Sequence, residues 1–219
     1  MKWTRLLCVA GSMIVLLSET AAVASEGTES PSGQNKESGS VRFNVYSDQA
    51  YGFKVQYQGT LVQRSTGEFV INLPSSADQT SNGSRVHIFV AQQPFVYLPG
   101  TYGGRYYFEQ GSSAVTASDR VQGDSVNVNG LEFARDYWAV YAGMGQWETV
   151  INCYALHNGQ YYVVSLEHDF FTPKPGEIVN GSPIPEEQIR ARLIGALHDT
   201  TNSYVRSFNE ILRSFSVTK

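Results

Sequence analysis

The sequence predicts an α+β fold: a central antiparallel β-sheet flanked by helices, closed by a long C-terminal helix. Three observations carry this. Apolar residues alternate with polar ones in short runs between 41 and 90, the period of half-buried strands. Two Asn-Gly dipeptides, Asn129-Gly130 and Asn158-Gly159, separate β-rich runs over 121–170, and Asn-Gly accepts the positive φ angles of a tight hairpin. After Pro185 the apolar spacing changes to three or four residues, the period of a helix face. Strands before helices favour an antiparallel α+β sandwich over alternating βαβ units.

The first segment reads as an address. Lys2 and Arg5 precede an apolar run from Leu6 to Leu17, and Ala22 and Ala24 follow, the three-part layout of a secretory signal peptide. Crossing a hydrocarbon core takes roughly twenty helical residues, so the run is too short for a permanent membrane span. Cleavage between Ala24 and Ser25 is expected. It removes Lys2, Arg5 and Glu19, leaving 14 basic and 19 acidic side chains and changing the net charge from −4 to −5. Residues 25–40 contain no large apolar side chain and are expected to be a flexible tether, because such a segment cannot offset the entropy of ordering. A single domain then spans 41–219.

Within it, Val41, Phe43 and Val45 form the first alternating run, and Phe53, Val55 and Tyr57 the second. A third passes through Phe69, Ile71 and Leu73 and stops at Pro74; a fourth passes through Val86, Ile88 and Val90. The stretch 94–119 is broken by Pro99, Gly100, Gly103 and Gly104 and shows no clean period. A four-stranded meander follows at 124–128, 131–141, 147–157 and 160–169, with a softer turn at Gly143-Met144-Gly145. Neighbours joined this way pair antiparallel. Past a loop at 172–183, Pro185-Glu186-Glu187 suits a helix start, Pro fitting the first turn and the acids its positive end. Ile189, Leu193, Leu197, Tyr204, Phe208 and Ile211 or Leu212 form its apolar face, and Thr200-Thr201-Asn202-Ser203 is weak helix material that can split it in two.

Four motifs resemble the Mog1/PsbP-like group: Tyr51-Gly52-Phe53-Lys54-Val55-Gln56-Tyr57, Asn129-Gly130-Leu131-Glu132-Phe133, Asn158-Gly159-Gln160-Tyr161-Tyr162-Val163-Val164 and Phe208-Asn209-Glu210-Ile211-Leu212-Arg213-Ser214-Phe215. Their order and spacing match over roughly 50–215. The resemblance implies an α/β/α sandwich and a binding or assembly role, as in the secreted bacterial PsbP-related proteins. It carries over no catalytic residue, since the group shares no catalytic motif. One departure is visible: the group often follows its first strand with a Pro and a Trp, where this chain has Gln58-Gly59-Thr60-Leu61-Val62.

Composition narrows the chemistry. At 42% hydrophobic, 12% aromatic and 16% charged the chain is neither disordered nor collagenous, and two cysteines cannot make a disulfide scaffold. With a net negative charge and no basic cluster, nucleic acid is not an expected partner. Cys8 leaves with the signal segment, so Cys153 is expected to be a lone buried thiol. The four histidines, His87, His157, His168 and His198, lack zinc-ligand spacing, and neither metal nor cofactor is expected. There is no Gly-x-Ser-x-Gly elbow, and Gly100-Thr101-Tyr102-Gly103-Gly104-Arg105 lacks the ending of a phosphate loop.

Two groups of residues remain as candidate sites. On a strand Glu167 and Asp169 share one face, about 6.6 Å apart along it, with His168 opposite; such carboxylates can hold a hard cation or share a proton. The tyrosines of 97–108, Tyr102, Tyr106 and Tyr107 foremost, can present amphipathic rings to a protein or glycan. The sequence therefore points to an exported binding or assembly protein, monomeric, secreted or periplasmic, engaging a protein or envelope component. A hydrolase or metal-dependent enzyme using Glu167 and Asp169, or a glycan-binding module using the tyrosines, are the alternatives. Mass spectrometry of the exported chain should find its N-terminus at Ser25; a start displaced by more than a few residues would refute the cleavage reading.

Overall fold

The computed structural model describes residues 42–74, 83–98, 104–107, 119–171, 178–179 and 182–218. The proposed signal segment, the tether and Tyr102 lie outside these residues. The first hairpin is β1 (Asn44–Asp48) and β2 (Phe53–Tyr57), followed by β3 (Thr60–Ser65), β4 (Glu68–Asn72) and β5 (Arg85–Ala91). β6 (Phe95–Leu98) and β7 (Gly104–Tyr107) form a separate hairpin. Next come β8 (Arg120–Val128), β9 (Leu131–Gly143), β10 (Gln146–His157) and β11 (Gln160–Phe171), the predicted meander. β12 (Ile178–Val179) and β13 (Ser182–Pro183) pair as a short ladder, α1 (Glu186–His198) and α2 (Ser203–Ser214) follow, and β14 (Ser216–Val217) ends the order.

The main sheet has seven strands in the order β3-β4-β5-β11-β10-β9-β8, all antiparallel to their neighbours. A smaller sheet runs β1-β2-β14. Asn129 and Asn158 adopt φ of 50° and 49°, the left-handed conformation that the hairpin turns require. Gly59 is needed for a different reason: at φ 96° it brings the backbone so close to β4 that a Cβ would lie 2.0 Å from the Asn72 carbonyl oxygen.

Strand pairing gives the main sheet two unlike faces, because residues opposite one another in a ladder project to the same side. One face presents Phe69, Ile71, Val86, Ile88, Tyr162, Val164, Leu166, Trp147, Ile151, Cys153, Ala139 and Phe133, all buried in the principal core. Both helices press onto this face, through Ile189, Leu193 and Leu197 of α1 and Tyr204, Phe208, Ile211 and Leu212 of α2. Arg190 pins α1: its Nε donates to the Ala139 carbonyl at 3.2 Å, its guanidinium reaches Asp119 at 2.8 Å, and it lies over the Trp147 ring. Cys153 is fully buried here, and burial pushes its thiol up to about 12, so it is a packing residue.

The structure departs from expectation in five places. Residues 60–65 form an edge strand, and part of 94–119 is the β6–β7 hairpin. The stretch 172–183, expected as a loop, contains β12 and β13. The C-terminal helix is two helices, because the Asp199 carboxylate accepts from the Thr201 backbone N–H at 2.9 Å and hydroxyl at 2.7 Å, while Asn202 donates to the Ala196 carbonyl at 2.9 Å. That side-chain turn substitutes for helical bonding. Finally, among the described residues the sheet carries helices on one face rather than both; β6 covers part of the other through Phe95, Val96 and Leu98.

Phe215 joins the pieces. Fully buried, it stacks on Phe53 at 5.5 Å and 13° and meets Phe133 and Tyr162 edge-on at 5.8 and 5.7 Å. Phe215→Ala should cost about 3–5 kcal/mol, read as a lowered urea midpoint with an unchanged slope; a loss below about 1 kcal/mol would refute this placement of the ring.

Candidate functional site

The face of the sheet away from the helices holds the unusual chemistry. Glu148, Glu167 and Asp169 project from it beside Val150, Asn152 and Ser165, and Arg85 and His87 of β5 stand opposite Glu167 and Ser165. Glu148, His87, Asn152, Ser165 and Glu167 are buried. Part of this polarity is structural. Asn152 donates to the Phe95 carbonyl at 3.1 Å and accepts from the Ser165 hydroxyl at 2.6 Å, so the pair seats β6 on a sheet to which it has no ladder. A buried carbonyl needs such a partner.

Glu167 is held differently. Its Oε2 lies 2.7 Å from His87 Nε2, and its Oε1 lies 3.9 Å from Arg85. The His87 ring is parallel to Phe89 and packs at 4.7 Å on Tyr97, which also touches Phe89. Beside this group opens a cavity of about 170 Å³ lined by Arg64, Glu68, Val70, Arg85, His87 and Tyr97. Burial raises the Tyr97 hydroxyl above the usual phenol range, with Glu68 and Glu167 acting in the same direction and Arg85 and Arg64 against it. Arg64, Glu68 and Arg85 thus share the cavity wall with this hydroxyl.

Of the residues predicted as a site, Glu167 and Asp169 do share a face, and His168 lies on the other. Burial, then the charge of Glu167, raises the Asp169 carboxyl, while Gln146 donates to it at 3.3 Å. Neither carboxylate lines the cavity, and among the described residues no group of three His, Cys, Asp or Glu could hold a metal ion. Tyr106 and Tyr107 lie in β7, paired with Val96 and Phe95. Their side chains, like Tyr102, are outside the described residues. Tyr97, just past the Gln93-Pro94 break, is the tyrosine of this stretch that lines the cavity. Arg64, Glu68, Arg85 and His87 escaped the sequence reading; the one available signal was the alternation Arg85-His87-Phe89, which puts the three on one face of β5.

A second constellation sits under the helices. Ser84 Oγ and His168 Nδ1 are 2.8 Å apart, both buried. The imidazole stacks on Tyr204 at 4.0 Å and meets Phe170 edge-on at 4.4 Å. A nucleophile needs a base poised near neutrality and a third group to orient it. Burial instead lowers His168 to about 4, and no acid contacts it among the described residues. The pair satisfies two buried polar groups and is not a catalytic dyad.

No family model matches the chain, and no curated protein matches it in sequence. In structure it is similar to a crystal structure from Bacteroides thetaiotaomicron VPI-5482, at 9% identity and a TM-score of 0.38, covering 80% of this chain and 48% of that one. It is also similar to the solution structure of cyanobacterial PsbP (CyanoP) from Synechocystis sp. PCC 6803, at 12% identity and a TM-score of 0.35, covering 84% and 98%. The chain thus spans about half the length of the Bacteroides protein.

His168 makes stability depend on pH. The unfolded chain takes up its proton below about 6.5, whereas the folded chain resists until about 4. Between these values the unfolded state binds more protons, so stability falls as the pH drops from 6.5 to 4, by about 3 kcal/mol at most. In urea titrations across that window the wild type should lose stability relative to His168→Gln; parallel curves would refute the buried neutral imidazole.

Proposed function

We propose that the chain is an exported binding protein of Mog1/PsbP-like architecture, non-enzymatic, whose helix-free sheet face engages a protein or envelope component. The observation that carries this reading is the asymmetry of the sheet. One face packs against both helices; the other concentrates ionisable side chains and leaves two large apolar residues open, Val62 at 44% and Leu156 at 57% exposure. Pairing places both on that face, Val62 opposite Val70 and Leu156 opposite Tyr161.

Export is supported by the three-part layout of residues 1–24, and the architecture by the order of the four motifs. No helix among the described residues is long and apolar enough to cross a membrane. A role without turnover is supported by the fate of the reactive groups: Cys153 is sealed, Ser84 and His168 are locked under α2, and Glu167 is committed to His87.

A photo-cross-linking amino acid at position 62 or 156 of the exported chain should capture a discrete adduct in the native envelope, and one at Met144, on the β9–β10 turn, should not. Equal capture from Met144, or saturable turnover of an ester, glycoside or peptide panel by the purified chain, would overturn the reading.

A further inference from the structure

The cavity beside His87 holds charge that the fold leaves unused. Arg64 forms no ion pair among the described residues, and Arg85 reaches only Glu167, at 3.9 Å, too far for an N–H···O hydrogen bond. A guanidinium presents its donors in a planar fork that matches a carboxylate. Two such forks line one small cleft. Glu68, on the same wall, accepts among the described residues only from the Ser65 hydroxyl, at 2.9 Å.

His87 adds a separate observation. An ionised carboxylate can only accept, so the 2.7 Å contact with Glu167 puts a proton on His87 Nε2. That leaves Nδ1. No hydrogen-bond partner reaches it among the described residues, although the side chain is only 4% exposed. Buried polar atoms in folded proteins nearly always have a partner, and one without calls for an explanation. A polar ligand in the cleft supplies one.

The charges select the ligand class. Arg64 and Arg85 line the cleft together with one carboxylate, Glu68, so charges of both signs face the same space. An inorganic anion would face Glu68, and a simple cation would face both arginines. A molecule carrying both charges meets each with its opposite. At about 170 Å³ the cleft is close in size to cavities of ~150 Å³ that accept benzene, which suits a molecule with few heavy atoms.

The geometry points to a binding site for a free α-amino acid or a zwitterion of that size, its carboxylate on Arg64 and Arg85, its ammonium on Glu68, and His87 Nδ1 hydrogen-bonded to it. Tyr97 forms the aromatic wall. This site is independent of any macromolecular partner on the same face. The two readings can therefore fail separately.

Isothermal titration of the purified chain with each of the twenty proteinogenic L-amino acids tests it, with acetate and methylammonium as the two half-ligands. At least one amino acid should bind saturably, and the half-ligands should bind at least about tenfold more weakly. Glu68→Gln should weaken the amino acid about tenfold and leave acetate unchanged; Arg85→Gln should weaken both. Arg85→Lys, which keeps the charge and loses the fork, should also weaken the amino acid, and serves where Arg85→Gln alters the melting temperature. Absence of binding by all twenty, acetate binding as tightly as the best amino acid, or wild-type affinity in Glu68→Gln and the Arg85 variants would overturn the proposal.

Discussion

Phe215 sits where the two ends of the domain meet, and its ring contacts hold the layers in register. It lies flat on Phe53 of the small sheet and edge-on to Phe133 and Tyr162 of the large one. Phe53 in turn meets Phe69 of β4 edge-on at 5.2 Å. Aromatic rings bury large areas and prefer these offset and perpendicular geometries, so a few of them fix both distance and orientation between sheets. Polar contacts finish the junction: Ser214 Oγ accepts from Gln56 N–H at 2.8 Å, and Thr218 N–H donates to the Gly52 carbonyl at 2.7 Å. The C-terminal strand can pair with β2 only because the ring ahead of it is seated.

Sealing one face in this way determines what the other can be. Beneath the helices burial drives three titratable groups to their neutral forms: the Cys153 thiol and the Tyr204 hydroxyl up to about 12, His168 down to about 4. Such groups are poor nucleophiles and poor bases at neutral pH. The opposite face keeps Asp136 against Arg120 at 2.9 Å and Glu167 against His87 at 2.7 Å, both carboxylates almost wholly buried. A buried carboxylate held this way seldom adds stability over apolar packing, because desolvation offsets the attraction. The helix side has such a pair too, Arg190 against Asp119 at 2.8 Å, so what distinguishes the other face is the cavity beside His87.

Legibility from sequence followed the range of the interaction. The meander could be read because each turn and alternation is written within a dozen residues, and the helix faces because their period is local. β3 escaped because, as an edge strand with Leu61 half-buried and its other residues exposed, it has no alternation to show. β6 and β7 escaped because Pro99, Gly100 and Gly103 break the sequence between these short strands, and the burial of β6 comes from Trp138, Val140, Val150 and Val163, far along the chain. The site shows the same limit. Alternation placed Glu167 and Asp169 on one face, but the partner that occupies Glu167 lies 80 residues away, on a strand brought alongside by the β5–β11 ladder.

The two Asn-Gly turns show how a local code can be fully used and still incomplete. Asn129 and Asn158 have the same following residue, the same hairpin role and nearly the same φ. At Asn129 the side-chain amide also reaches the far end of the chain. Its Nδ2 donates to the Phe215 carbonyl at 2.7 Å and the Arg213 carbonyl at 3.2 Å, meeting carbonyls that the end of α2 leaves without helical partners. A glycine would serve the turn at this position just as well. It would also strip the helix end of its cap and loosen the segment that carries Phe215. The dipeptide that most clearly announces a hairpin in this sequence is thus also part of the clasp that closes the domain, and turn chemistry alone already accounts for its presence, so nothing local marks the second role.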